Sequence, residues 1–507
     1  MRRLVVLAAA VTLALATFSA DAATPGFRYG VAAGEITSTS AVIWTRTSKV
    51  GPVEIHASSN GSTFVQYGVS PRAARAVPTN DLTVQFRLPP LEPATRYRYW
   101  FVQGKAKSPV GTFRTAPAPS VDASIRFAVS GDADATPGPN GKPGFNRFQV
   151  YASMANQAND FNINLGDTIY SDSEVAGAPV ARTVSEKWGK YRLGLTLPAL
   201  EWLRRSAGLY SHWDDHEFIN DFSRAEHGGA IYAAGVKAFT DYAPIAKPSA
   251  NGLYRTFRWG KNLELFFLDE RSFRSAKAAE ECGGDLAPTA PQAVRDAFST
   301  LAPGLKTPVA PACLAAINDP ARTMLGERQY AAFTRAIKSS TATWKVIVNE
   351  VPIQQFYALP YDRWEGYAAE RERLLRFLQA NVRNVIFLTT DTHANLVNEV
   401  RYKTLGGAPE GTGIWEVVTG PVATNSFAKE IDGYLGQKGA GTAIGALFFK
   451  PPPPNGMGMR CAALDTFSYS EVSVTAKRLT VSMKDAKGRP VREATGVACA
   501  ALVLTAR

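Results

Sequence analysis

Five apolar stretches of this chain each run straight into side chains that can bind a cation or move a proton. Ile125–Val129 is followed by Ser130-Gly131-Asp132-Ala133-Asp134, and Phe161–Leu165 by Gly166-Asp167-Thr168-Ile169-Tyr170. Leu209–Trp213 leads into Asp214-Asp215-His216-Glu217, Trp344–Val348 into Asn349-Glu350, and Val385–Thr390 into Asp391-Thr392-His393-Ala394-Asn395. One Asp after a strand is most often a turn or helix-capping residue, because its carboxylate accepts from nearby backbone N–H groups; Asp134 reads this way. Five such endings together, several with Gly-Asp or Asp-x-His patterns, make coincidence a poor account. Burying so much negative charge is costly unless cations neutralise it. Carboxylate, phenol, amide and imidazole donors suit Fe, Mn, Mg, Ca or Zn. A carboxylate shared by two ions would permit two-metal hydrolysis.

The elements that must position these residues follow from hydrophobic periodicity. From about residue 124 the pattern alternates strand with helix, with buried strands at Ile125–Val129, Phe161–Leu165, Leu209–Trp213, Leu263–Leu268, Trp344–Val348 and Val385–Thr389. Helical patterns cover Phe145–Ala155, Val184–Arg205, Gly326–Ile337 and Tyr367–Leu378. Such alternation predicts an α/β domain of sheet flanked by helices, whose strand ends gather ligand groups. Residues 275–325 read as a loop insertion, and Phe467–Val474 with Leu479–Met483 as a hairpin at the sheet edge. Residues 27–115 read as all-β: runs beginning with Ile36–Trp44 alternate with turn residues at the spacing of a sandwich. Ala116-Pro117-Ala118-Pro119 is the linker, so the catalytic domain spans 120–507.

Composition bounds the remaining classes. With 507 residues, 45% hydrophobic and 10% aromatic, the chain is neither globally disordered nor a disulfide scaffold, since it has only four Cys. Residues 1–22 read as an export signal: Arg2 and Arg3 precede an apolar run to Phe18, and Ala20-Asp21-Ala22 supplies a cleavage site. No later stretch is long and apolar enough to span a bilayer, so a secreted or periplasmic protein is expected, as a monomer. Removal of the signal takes away two Arg and one Asp and changes the net charge from +12 to +11. No block of five like charges occurs, which argues against a stable nucleic-acid complex. The pairing Cys282–Cys313 with Cys461–Cys499 closes the shortest loops, though four Cys allow three connectivities. His212, His56 and His227 read as structural. No P-loop, Gly-x-Ser-x-Gly elbow or dinucleotide fingerprint has the context it needs.

The ordered set Gly131-Asp132, Gly166-Asp167-x-x-Tyr170, Asp214-Asp215-His216-Glu217 and Asp391-x-His393 resembles the calcineurin-like metallophosphoesterases. Within that superfamily, Trp213-Asp214-Asp215-His216-Glu217, Leu268-Asp269-Glu270-Arg271, Leu325-Gly326 with Gln329, and Trp344 to Asn349 resemble the PhoD-like alkaline phosphatases. The resemblance covers nearly the whole mature chain. It implies a metallophosphoesterase core of mixed sheets flanked by helices, preceded by a fibronectin III-like domain. It also implies that Asp167 bridges two metals and that Tyr170 binds a ferric-type ion as phenolate, with Asp132 a further ligand. Asp215 would hold the second ion, Asp391 and His393 would complete the shells, and His216 would face phosphate as general acid. Asn349 stands where relatives place a strand-end His or Asn. Arg271 either clamps phosphate or pairs with Asp269. The implied cofactors are Fe(III) plus a divalent ion, Ca, Mn, Mg or Zn. PhoD-like enzymes commonly place a Cys ligand after the first core strand; here the first Cys is Cys282, and Asp132 takes that role. The expected activity is hydrolysis of phosphate monoesters or diesters by a metal-bound hydroxide. A phospholipase D-like phosphodiesterase and a non-catalytic metal-binding protein are the alternatives.

Overall fold

The computed structural model describes residues 25–59, 65–67, 74–88 and 90–507, so the export-signal expectation lies outside the described residues. The first core strand, Ile125–Ser130, pairs in parallel with Phe161–Asn164, which pairs in parallel with Gly208–Ser211. A second sheet runs Arg255–Trp259, Leu263–Phe267, Trp344–Val348, Val385–Thr389, Glu410–Val418, Asn395–Lys403, Cys461–Ala463, with four parallel strands from Leu263 to Val418 at its centre. Trp344–Val348 and Val385–Thr389 are buried at every position, which is why they read as apolar runs broken only by Lys345 and ended by Thr389.

Alternate side chains of these strands serve two cores. Phe127, Phe161 and Ile163 of the first sheet join Leu265, Phe267 and Val346 of the second in one cluster. On the outer face of the second sheet, Phe266, Ile347 and Phe387 pack against Phe333, Ile337 and Leu374, from helices Glu327–Ser339 and Ala368–Asn381. On the outer face of the first, Ala128 meets Tyr151, Met154 and Leu203 of helices Gln149–Ala155 and Pro198–Ser206. The layers are therefore helix, sheet, sheet, helix. Phe161 joins the two sheets, with its ring 4.7 Å from Phe127 and 4.4 Å from Trp259.

The structure corrects several expectations. The pattern over Val184–Arg205 is two helices, Val184–Gly194 and Pro198–Ser206, because Pro198 offers no N–H to continue a helix and holds Leu197 extended. The tail hairpin, Ser468–Val474 and Arg478–Asp485, is not at the sheet edge. Ser468–Val474 pairs antiparallel with Ile125–Ser130 in mid-sheet, and Leu502–Thr505 is the outer strand. Local periodicity marks a hairpin but not its neighbour. The insertion at 275–325 contains helices Gln292–Phe298 and Pro311–Ile317. Both disulfides, Cys282–Cys313 and Cys461–Cys499, follow the shortest-loop pairing. The N-terminal region forms a pair of antiparallel sheets, Val31–Gly34/Val42–Arg46/Thr83–Arg87 and Gly111–Arg114/Arg96–Gln103/Glu54–Ser58/Val65–Tyr67. The first expected run is thus displaced: Ile36 lies in a turn, where its carbonyl accepts the Tyr210 hydroxyl at 2.5 Å. This region docks on the core through Trp44, whose Nε1–H donates to the Asp241 carbonyl at 2.7 Å.

Phe161→Ala is expected to cost about 3–5 kcal/mol in denaturant unfolding, since the cavity would open between both sheets; a loss under about 1 kcal/mol would show that the sheets close over the gap. His212 is a buried core histidine whose Nε2–H donates to the Leu268 carbonyl at 2.5 Å. Burial first, and Arg255 second, push its pKa down to about 3. The unfolded chain takes up that proton near pH 6.5, so the stabilisation from neutral His212 is full above that pH and drains away as pH falls toward 3. His212→Phe should therefore gain on the wild type by about 1.4 kcal/mol per pH unit in that window; parallel stability curves would contradict this.

Candidate metal centre

The strand ends of the two sheets meet, and the backbone there is constrained. Asp132, Asp167, Asp391 and His393 all have left-handed φ, between 50° and 69°. Such a conformation costs a non-glycine residue about 1–3 kcal/mol and persists only where surrounding contacts enforce it. The enforcing contacts cross between strand ends. The Ala133 N–H donates to the Asp167 carbonyl at 3.0 Å, and the Thr390 hydroxyl to Asp132 Oδ2 at 2.6 Å. Gly166, at φ +148°, lets Asp214 approach: a Cβ there would lie 2.6 Å from the Asp214 Cβ.

Two ligand sets result. One ligand atom each from Asp132, Asp167 and His393 lie within 4.8 Å of one another, and the same holds for Asp167, Asp215 and His216. Asp167 belongs to both. The Tyr170 hydroxyl joins the first set, 3.0 Å from His393 Nε2, and its ring stacks on His216 with centroids 4.0 Å apart. The Ser130 hydroxyl donates to the Ser468 carbonyl at 2.7 Å.

Residues outside the expected set orient the two histidines. Asp172 accepts from His216 Nδ1 at 2.7 Å, which leaves Nε2 free. Glu430 on helix Phe427–Leu435 does the same for His393 Nδ1. Second partners of this kind fix tautomer and ring orientation at metal sites. Asp172, five residues after Asp167, was within reach of motif reading; no local pattern marks Glu430.

Arg271 corrects the expectation of a phosphate clamp. Its guanidinium is fully buried and held by carboxylates: Nε by Asp214 at 2.6 Å, Nη1 by Asp362 at 2.8 Å and Nη2 by Asp391 at 3.3 Å. Asp269 takes only the Arg271 backbone N–H, at 3.2 Å, and anchors the turn. Arg271 thus positions Asp391, which lies in neither ligand trio. Asn349 donates through Nδ2 to the Val351 carbonyl at 3.0 Å, while its buried Oδ1 has no partner. Asp134 is the turn residue expected, accepting from the Thr136 N–H at 2.8 Å. A third acidic group, Asp215, Asp221 and Asp362, is already balanced by Arg271, Arg274 and Lys277.

The electrostatics fit cations. Burial first, then repulsion from Asp215 and Asp214, push the Asp167 carboxyl well above the usual range. Asp391 is raised likewise, by burial and then Asp214. Asp214 rises to about 8, through burial that Arg271 only partly offsets. Burial opposes the charged form of both histidines, yet Asp215 and Asp172 push His216 up to about 10, and Glu430 pushes His393 to about 10. Acids that would otherwise take up protons, together with the orphaned acceptors Asp214 Oδ2 and Asn349 Oδ1, match hard metal ions.

Two stacked sheets between helices are a fold that this chain shares with solved phosphatase structures. The structure of purple acid phosphatase PPD1 from yellow lupin (Lupinus luteus) seeds matches with a TM-score of 0.59 at 12% identity, over 95% of this chain and 75% of that one. A structure of PhoD matches with a TM-score of 0.71 at 21% identity, over 96% and 90% of the two chains. The PhoD-like phosphatase family model matches residues 136–483, and the model of the PhoD-like phosphatase N-terminal domain matches residues 12–117. The chain belongs to the PhoD-like phosphatase family. It is 26% identical over 420 residues to alkaline phosphatase D of Bacillus subtilis (strain 168), across 73% of this chain, and it spans 64% of that protein's length.

Glu430→Gln is expected to weaken metal binding about 10–100-fold, because it removes the acceptor that orients His393. Competition against a chelator measures this, and unchanged affinity would remove Glu430 from the site.

Proposed function

We propose that this protein is an exported metal-dependent phosphoesterase that hydrolyses phosphate monoesters, diesters or both, with no covalent enzyme intermediate. Residues 1–22 are its export signal, and the N-terminal sheets are a fibronectin III-like sandwich ahead of the catalytic domain at 120–507. The observation that carries the reading is that Asp167 is shared by two ligand trios. Asp132, Asp167, Tyr170 and His393 hold one ion, assigned as Fe(III) through the phenolate. Asp167 and Asp215 would hold a divalent ion, with Asn349 Oδ1 and Asp391 at its margin, while His216, the third member of that trio, keeps its Nε2 proton for the substrate. Bound there, the ions polarise the phosphoryl oxygens and acidify a water.

The chain's own groups supply the rest. A water that has given one proton to solvent would bond through oxygen to phosphorus as the ester P–O bond breaks. The leaving oxygen would take the proton of His216 Nε2, and solvent would return a proton to His216. Asp172 holds the opposite ring nitrogen, so Nε2 is the one that faces substrate. The ring of Tyr170, stacked on His216, restricts its tilt.

Purified protein is expected to hydrolyse p-nitrophenyl phosphate, bis-p-nitrophenyl phosphate or both, and to lose that activity on exhaustive chelation. Asp167→Ala should abolish turnover, and Tyr170→Phe should remove a visible charge-transfer band. Full activity after chelation, or in Asp167→Ala, would sink the two-metal proposal. Stoichiometric metal with no turnover of either ester would favour a binding protein instead.

A further inference from the structure

An apolar cavity of about 130 Å³ lies against elements of the metal centre. Helix Phe427–Leu435 forms one wall, presenting Phe427, Ile431 and Tyr434 at the spacing of a single helix face. The loop at 356–359 forms a second wall, and Leu301 and Phe448 help to close it. Both of those walls are tied to the site. The helix brings Glu430 to His393, and its Phe427 N–H donates to the His393 carbonyl at 3.0 Å. The loop runs into Asp362, which holds Arg271 at 2.8 Å.

The chemistry of the lining selects its occupant. The two bordering arginines are engaged through their Nη groups, Arg295 with Asp285 at 2.8 Å and Arg363 with the Leu359 carbonyl at 2.9 Å, while the buried Nε of each has no partner. Apart from those two N–H groups the lining is almost entirely carbon, so most polar atoms of a sugar, a base or a second phosphate would lose water there unreplaced, whereas hydrocarbon gains by leaving water. The mouth is open: Leu301 and Leu359 are 38% exposed and Tyr434 61%. Large apolar side chains exposed together around an apolar cavity mark a binding site.

We propose that this cavity takes the hydrocarbon chain of an amphiphilic phosphate ester whose phosphate occupies the metal centre, which makes monomeric alkyl or acyl phosphate esters its substrate class. The inference rests on the phosphoesterase reading above. An apolar cavity of about 150 Å³ holds a benzene ring, so this one accommodates about five carbons, with a longer chain emerging past Tyr434.

The test is kcat/KM on ethyl, butyl, hexyl and octyl phosphate, each kept below its micelle-forming concentration. Each methylene is expected to raise kcat/KM about three- to fourfold until the cavity is full, then add little. Ile431→Trp, which fills the cavity, and Leu301→Asp, which charges its mouth, should both flatten the series. Leu301 is partly exposed, so its variant keeps the test open if Ile431→Trp does not fold, as thermal unfolding will show. Calorimetric binding of octylphosphonate against methylphosphonate gives a readout without turnover, with at least tenfold tighter binding of the octyl compound expected. Turnover of ethyl phosphate with a flat series and equal phosphonate affinities overturns the proposal and leaves the phosphoesterase reading standing. A length dependence that survives both variants overturns it too. If no ester is turned over, the phosphoesterase reading fails and the phosphonate comparison alone decides the cavity.

Discussion

Repulsion among buried carboxylates is the constraint on which the rest of this structure depends. Asp132, Asp167, Asp214 and Asp215 are almost wholly excluded from water, and ligand atoms from Asp167 and Asp215 lie within 4.8 Å of each other. At that spacing two ionised carboxylates repel by about 3–4 kcal/mol at an effective dielectric near 20. Arg271 offsets the charge of Asp214, Asp362 and Asp391 but not that of Asp132 and Asp167. In the two trios that share Asp167 the countercharge comes instead from His216 and His393, whose pKa values are pushed up to about 10, and metal ions fit where these imidazoles give up their protons. Burial first, and for Asp167 then repulsion from Asp215 and Asp214, raises the carboxyl pKa values there, while His393 pulls Asp132 the other way.

The scaffold's role is to hold this unfavourable arrangement in place. Two sheets locked face to face through Phe161, Phe127 and Trp259 bring their strand ends to one edge. Four ligand candidates accept left-handed backbone conformations because cross-strand hydrogen bonds leave them no alternative. Stability in the core is thus spent on strain and charge at the centre, the trade expected of a functional site. Asp172 and Glu430 complete the arrangement from outside the ligand set, each fixing one nitrogen of a histidine so that the other points inward.

Helix Phe427–Leu435 has two roles that periodicity alone did not reveal. Glu430 reaches His393, while Phe427, Ile431 and Tyr434 line an apolar cavity. The contact that orients His393 and a wall of the apolar cavity are therefore carried by one helix. The fixed geometry of a helix makes the distance between the two sites a property of the fold.

By itself the sequence determined the order along the chain of the acids and histidines that meet in the structure, and most of the strands that carry them. Strands buried on both faces must be continuous apolar runs, so the first polar residues after each run are legible as strand-end groups. The disulfide pairing and the turn role of Asp134 were legible too, because both depend on short chain separations. Only the tertiary structure decided which groups meet across the chain. Arg271 reads locally as a partner of Asp269 or of phosphate, yet it is claimed by Asp391, 120 residues away. Glu430 finds His393 across 37 residues and Thr390 finds Asp132 across 258. The mid-sheet place of Ser468–Val474, like these contacts, depends on which surfaces pack together, and local periodicity carries no record of that.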